Sequence, residues 1–165
     1  MNKFVVGDEV TVKETGERTK IKSISWEGGP YIWLENGDRV GDMSELEKTE
    51  VKYPAIYRHF KNKYYATMGI VKPVEGDIIQ KLIGKPNVIM FEAEHTETGD
   101  IILIVRHKKI FYISNKYVKD TVVLYKSLYD GHIPYIRPLT MFASEVDHEK
   151  YPDVKQKYRF ELVRY

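Results

Sequence analysis

The chain of 165 residues offers few groups with which to make or break a bond. It has no cysteine, which excludes disulfides, thiolate metal sites and a cysteine nucleophile. Serines stand at 23, 25, 44, 114, 127 and 144, none in the Gly-x-Ser-x-Gly elbow that exposes a nucleophile. The histidines are His59, His95, His107, His132 and His148; none forms a helical i,i+4 pair or a His-x-His strand pair. His59, His95 and Glu97 are the one combination worth testing as metal ligands. Glu92 with Glu94 and Glu97 with Asp100 are paired carboxylates, and alternation puts the first pair on one strand face, the ordinary arrangement of a solvated surface. No glycine loop of the phosphate-cradling kind is present. What remains is non-covalent chemistry. Tyr rings stack on a base, while Arg and His hold phosphate or ribose oxygens without reacting. The candidate ligand-binding residues are Tyr57, Arg58, His59, His95, Tyr125, Tyr129, Tyr135 and Arg137.

The elements that must position them centre on Val122 to Val146. This stretch holds an alternating strand, a turn at Asp130-Gly131, a second apolar strand, the Arg137-Pro138 pair and a short amphipathic tail. Alternation sets Val123, Tyr125 and Ser127 on one face and Val122, Leu124 and Lys126 on the other. Upstream, strands are expected at 55–60, 64–71, 87–94, 101–105 and 110–113. Pro73 to Gly76 breaks the pattern. Residues 77–83 read as two helical turns, with Asp77 as N-cap and Gly84 as stop.

The first fifty residues read as a separate β unit. Short apolar alternations around Gly7-Asp8, a strand over 19–26, a turn at 28–30, a strand over 31–34 and a hairpin turn at Asn36-Gly37 suggest a small bent barrel. Met43 to Leu46 reads as one helical turn capped by Ser44. Trp26, Tyr31 and Trp33 are either core and rim or an exposed binding face. The charged stretch 47–53 reads as a connector, placing a domain boundary near residue 50: 1–50 and 51–165.

Composition bounds the rest. Apolar and charged fractions of 42% and 30% are those of a globular protein. The formal charge of +2 lacks the basic excess usual in nucleic-acid binders. A local basic patch is still present at Arg106-His107-Lys108-Lys109, followed by Ile110-Phe111-Tyr112, and again at Lys116-Tyr117-Val118-Lys119. No apolar run approaches a membrane span, and the first residues meet charges too early for a secretory signal. The expectation is a soluble cytoplasmic protein with no membrane partner and no cofactor.

Two resemblances sharpen this reading. Val6-Gly7-Asp8-Glu9-Val10-Thr11-Val12-Lys13, with Ser44-Glu45-Leu46 later, resembles the opening and closing lines of small Src-homology-3-like (SH3-like) barrels. The second resemblance runs through Tyr57-Arg58-His59-Phe60-Lys61, Tyr64-Tyr65, Gly69 and His95-Thr96-Glu97-Thr98. It continues through Val122 to Tyr129 and Arg137-Pro138-Leu139-Thr140-Met141-Phe142. That ordered set is similar to a family of small bacterial and phage domains of uncharacterised function with an SH3-like roll. Relative to the short members, residues 71–92 and 103–121 are insertions, and Tyr135 stands where a Trp is common. The resemblance implies a mainly β chain: two tandem SH3-like barrels, the second enlarged, with one short helix.

The functional expectation is a non-catalytic binding protein, not an enzyme. The phage character of the resemblance implies an accessory protein that sequesters a nucleotide-like host immune signal, as a homo-oligomer assembled partly through the inserted hairpin. The alternative is a tandem-barrel adaptor for protein or nucleic acid. A nucleotide-cleaving enzyme is the third and weakest reading.

Overall fold

The computed structural model describes residues 4–29 and 31–164. The chain forms two compact units, Met1–Val51 and Lys52–Tyr165. The fold is mainly β throughout.

The first unit contains β1 (Glu9–Val12), β2 (Arg18–Ser25), β3 (Tyr31–Leu34), β4 (Arg39–Val40), a 3-10 turn (Met43–Glu45) and β5 (Leu46–Lys48). The strands pair antiparallel in the order β4-β3-β2-β1-β5. Phe4, Val10, Ile21, Ile32, Leu34, Val40 and Leu46 make its core. A register shift between Ile21 and Ser23 lets Ile21 and Ile24, three residues apart, oppose the inward Leu34 and Ile32. The 3-10 turn is capped by Asp42, not by Ser44. Asp42 Oδ1 accepts from the Ser44 amide at 2.7 Å, and Glu45 Oε1 accepts from the Asp42 amide at 3.1 Å, a reciprocal capping box. Trp26, Tyr31 and Trp33 lie outside the core and are exposed. The Arg39 guanidinium sits 4.9 Å from the Tyr31 ring centroid and 5.8 Å from that of Trp33.

The second unit contains β6 (Ala55–His59), β7 (Lys63–Val74), α1 (Gly76–Ile83), β8 (Val88–His95), β9 (Ile101–His107), β10 (Ile110–Ser114), β11 (Val122–Ser127), β12 (Tyr135–Pro138), α2 (Leu139–Phe142) and β13 (Phe160–Arg164). Six strands close a barrel in the order β10-β9-β8-β12-β11-β7, and β7 pairs back onto β10. The joints β8–β12 and β7–β10 are parallel; the others are antiparallel. The twelve-residue β7 makes this possible. Its early residues pair with β6, its middle with β11 and its end with β10. β7 runs on through Pro73, where a break was expected. Past Val71 it has β10 alone as a strand neighbour, so a residue without an N–H is tolerated there.

The segments 71–92 and 103–121, read from sequence as insertions, contain the end of β7, α1, most of β8, most of β9 and all of β10. They close the barrel. α1 lays Ile79 and Leu82 on Val105, with Val88 and Tyr112 packed alongside. Its N-cap is Glu75, without a side-chain cap bond, and Gly84 is the C-cap. Asp77 lies inside the first turn instead, where its charge suits the helix dipole.

The second unit has two cores on opposite faces of the β11 sheet. Val122 and Leu124 turn into the barrel with Val71, Ala93, Ile102, Ile104, Ile113, Val118 and Ile136. Val123 and Tyr125 face outward and are just as buried. Residues 139–160 cover them: the Phe142 and Phe160 rings stack at 4.1 Å and 9°, and each meets Tyr125 edge-on. The strand β13, which no sequence pattern had been assigned to, pairs with β6 and brings Phe160 into this outer core.

Candidate ligand-binding site

The outer aromatic core is where most of the sequence-derived candidates meet. Tyr125 is 2% exposed and packs edge-on against Tyr65, Phe142 and Phe160, with Tyr135 tilted beside it. Burial pushes its phenol up to about 12, against the opposing pull of Arg137. Tyr57 is also buried. Its hydroxyl accepts from the Lys52 amide at 2.9 Å, and its ring meets Phe142 edge-on. These two tyrosines are packing residues, and neither presents a face that a ligand could stack on.

Arg137 lies on β12 opposite Val123. Its Nε donates to Thr96 Oγ1 at 3.2 Å, with Glu97 Oε1 3.9 Å away. The guanidinium carbon stands 5.5 Å from the Phe160 centroid, and its charge acts on the buried Tyr125 phenol. Arg137 therefore ties the His95–Thr98 turn to the outer core, and its side chain is 16% exposed.

His59 ends β6 and packs on Phe60, Tyr65 and Phe160. Its Nδ1 accepts from the Lys61 amide at 3.2 Å, a bond that requires this nitrogen to be unprotonated. Burial, then the charges of Arg137, Lys61, Arg159 and Lys63, push His59 down to about 4. The imidazole is thus neutral in an electropositive neighbourhood. Arg159 belongs to it through a second feature: its Nε is buried and has no hydrogen-bond partner among the described residues. Sequence reasoning missed Arg159, because nothing local marks a residue whose buried setting forms only once β13 docks on β6.

The other candidates separate. Arg58 is half-exposed and faces Glu161 at 3.5 Å across the β6–β13 ladder. His95 is the buried last residue of β8, at the start of the turn. Its Nδ1 accepts from the Glu97 amide at 3.2 Å, and its backbone bonds Gly99 and Asp100. Tyr129 is exposed, and its hydroxyl accepts from the Tyr64 amide at 3.2 Å. Tyr135 is partly exposed, with the His132 ring stacked on it at 4.7 Å and 4°. His132 Nε2 lies 3.0 Å from Glu94 Oε2, a pair the sequence reading had not connected. Among the described residues no three His, Asp or Glu side chains come close enough to hold a metal ion.

The chain from the turn before β11 to the middle of β13 builds most of this region. Residues 115–162 match the family model described as Protein of unknown function (DUF1653). The DUF1653 segment holds Tyr125, Tyr135, Arg137, Phe142, Arg159 and Phe160. Tyr57 to Lys61 and His95 to Thr98, which carry the rest of the motif set, lie outside the matched residues. No curated protein and no solved structure matches the chain. Among the described residues no helix is long and apolar enough to cross a membrane.

Proposed function

We propose that this protein is a non-catalytic binding protein for a small anionic, nucleotide-type ligand, held on the face around His59. The observation that carries the reading is the buried, unpartnered Arg159 Nε beside the Phe160 ring on which both His59 and the Arg137 guanidinium sit, with Lys61 and Lys63 adding positive charge around the imidazole. A bound anion would relieve the mutual repulsion of these cations. It would also give the buried Arg159 Nε an acceptor, which a buried donor otherwise lacks at a cost of roughly 1–3 kcal/mol. Tyr65 adjoins His59 and Arg137 and supplies a ring and hydroxyl suited to a base or a ribose. The serines lack the elbow that exposes a nucleophile, which favours holding a ligand over cleaving it.

The resemblance to small phage and bacterial domains supports a more specific version: a viral accessory protein that sequesters a host immune signal of nucleotide type, working as a homo-oligomer in the cytoplasm. The SH3-like description fits the first unit's connectivity, in which a meander and a 3-10 turn lead to a last strand paired back on the first. A second reading, a tandem-barrel adaptor, is favoured by the exposed Trp26, Tyr31 and Trp33 beside Arg39.

Thermal shift with a nucleotide panel tests the main reading. The expected result is stabilisation by at least one nucleotide, recovery of that nucleotide intact after denaturation, and loss of the shift in Arg137→Gln and Arg159→Gln. Full retention of binding in both variants, with folding intact, would move the site elsewhere. Recovery of a cleaved product would make the protein an enzyme.

A further inference from the structure

A separate groove lies at one end of the barrel, between the start of β8 and the β9–β10 turn. Its volume is about 510 Å³, and Pro86, Asn87, Ile89, Arg106, His107 and Lys108 line it. The register explains the lining. Val88 pairs with His107 and Ile89 with Arg106, and Arg106 pairs on its other side with Phe111. Asn87 and Lys108 both adopt left-handed backbone, with φ of 60° and 58°, so two tight turns flank the opening. The Arg106 guanidinium stands 5.8 Å from the Phe111 ring centroid, which holds it at the rim.

The charge of this groove is one-sided. Among the described residues no Asp or Glu lines it. Lys85 and Lys109 adjoin it in sequence, and both are exposed. Among the described residues none of Lys85, Arg106, Lys108 and Lys109 is ion-paired to a carboxylate. The aromatic residues of the same hairpin are committed elsewhere. Phe111 packs on the barrel core and Tyr112 lies under α1. The groove therefore has phosphate-binding charge without the stacking platform that single-stranded nucleic acid uses.

We infer that this groove is a second binding site, which takes a small organic phosphate of about mononucleotide size. Its volume is in the range of small-molecule sites, roughly 300–1,000 Å³. Arg106 and Lys108 hold the phosphate oxygens, Arg106 through its planar fork. Pro86 and Ile89 give the organic part an apolar wall, and the Asn87 amide offers a donor and an acceptor to its polar edge. The site shares no residue with the His59 face.

Amide NMR shifts of the full chain, titrated with inorganic pyrophosphate and then with AMP, test the inference. Shifts are expected at Asn87, Ile89 and Arg106 to Lys109. Arg106→Gln should weaken AMP binding at this site at least about tenfold, the loss of one charge-assisted hydrogen bond. Lys108→Gln, at an exposed position that cannot compromise the core, should weaken it in the same direction. Arg137→Gln should leave these shifts unchanged, so failure here is distinguishable from failure of the His59 face. Absence of shifts at the groove, or binding unaltered in both groove variants, overturns the inference. Much tighter, steeply salt-dependent binding of a short oligothymidylate would overturn it in favour of nucleic acid.

Discussion

Gly69 on β7 and Phe111 on β10 are in such close approach that a Cβ on Gly69 would lie 2.7 Å from Phe111 Cε2 and 2.8 Å from Cδ2. Gly69 pairs with Leu124, whose side chain points into the barrel, so the ring of Phe111 fills the space a side chain at 69 would take. The parallel β7–β10 joint closes the barrel, and this contact sits beside it. Beside the closing joint, one residue without a side chain thus faces one large ring.

Gly69→Ala should therefore destabilise the second unit by about 1–3 kcal/mol, the usual cost of overpacking a filled core. Phe111→Ala should cost about as much or more through the cavity it leaves. The double variant should cost less than the two single effects combined, because each change relieves part of the other. Urea unfolding of the four proteins measures this. Strict additivity would show that the contact does not govern closure.

The outer core makes its own demand. Phe142 is 1% exposed, stacked on Phe160 and edge-on to Tyr57 and Tyr125. Phe142→Ala should cost about 3–5 kcal/mol. Because Phe160 anchors β13, amides of Phe160 to Arg164 should lose hydrogen-exchange protection together with α2. If protection of β13 survived unchanged, the stacked pair would not be what docks that strand.

Much of this architecture was legible because burial has a period. The alternation in Val122 to Ser127 gave the two faces of β11, and both are buried up to Tyr125, while Lys126 is exposed. The helix over 76–83 announced itself through Ile78, Ile79, Leu82 and Ile83. What stayed hidden depends on partners distant in sequence. β13 shows apolar character only at Phe160, Leu162 and Val163, and its role needs β6, about a hundred residues away. The parallel β7–β10 joint has no local signature at all. Among candidate ligand residues, Tyr57 and Tyr125 are buried. A tyrosine's sequence context does not say which face of the sheet will be covered. Arg159 became visible only as an unpartnered buried donor.

Arg137 can be tested as a positioning residue apart from any ligand. Its guanidinium reaches Thr96, the Glu97 carboxylate and the Phe160 face at once, a geometry that a lysine point charge cannot reproduce. Arg137→Lys should cost about 1–2 kcal/mol, one or two net hydrogen bonds, and should broaden the amide signals of Thr96 and Glu97. Wild-type stability in this variant would mean the charge alone suffices and the fork is idle.

His59 provides the sharpest test, because its titration reads both stability and occupancy. Burial comes first among the causes that push it down to about 4, followed by Arg137, Lys61, Arg159 and Lys63. The unfolded chain protonates this histidine near 6.5, so between those values the unfolded state binds more protons than the folded one. The contribution to stability is therefore fully present above about pH 6.5, declines as pH falls towards about 4, and levels off below. Allowing for solvent screening of a partly exposed group, the loss should be about 1–2 kcal/mol. It should vanish in His59→Gln when unfolding is measured across that window. An anion seated among the four cations would offset their charge and raise the titration midpoint of His59 towards the ordinary imidazole value. Imidazole NMR titration with and without pyrophosphate measures the difference. An upward shift that is absent in Arg159→Gln would place the anion at this face, and an unmoved midpoint would remove it.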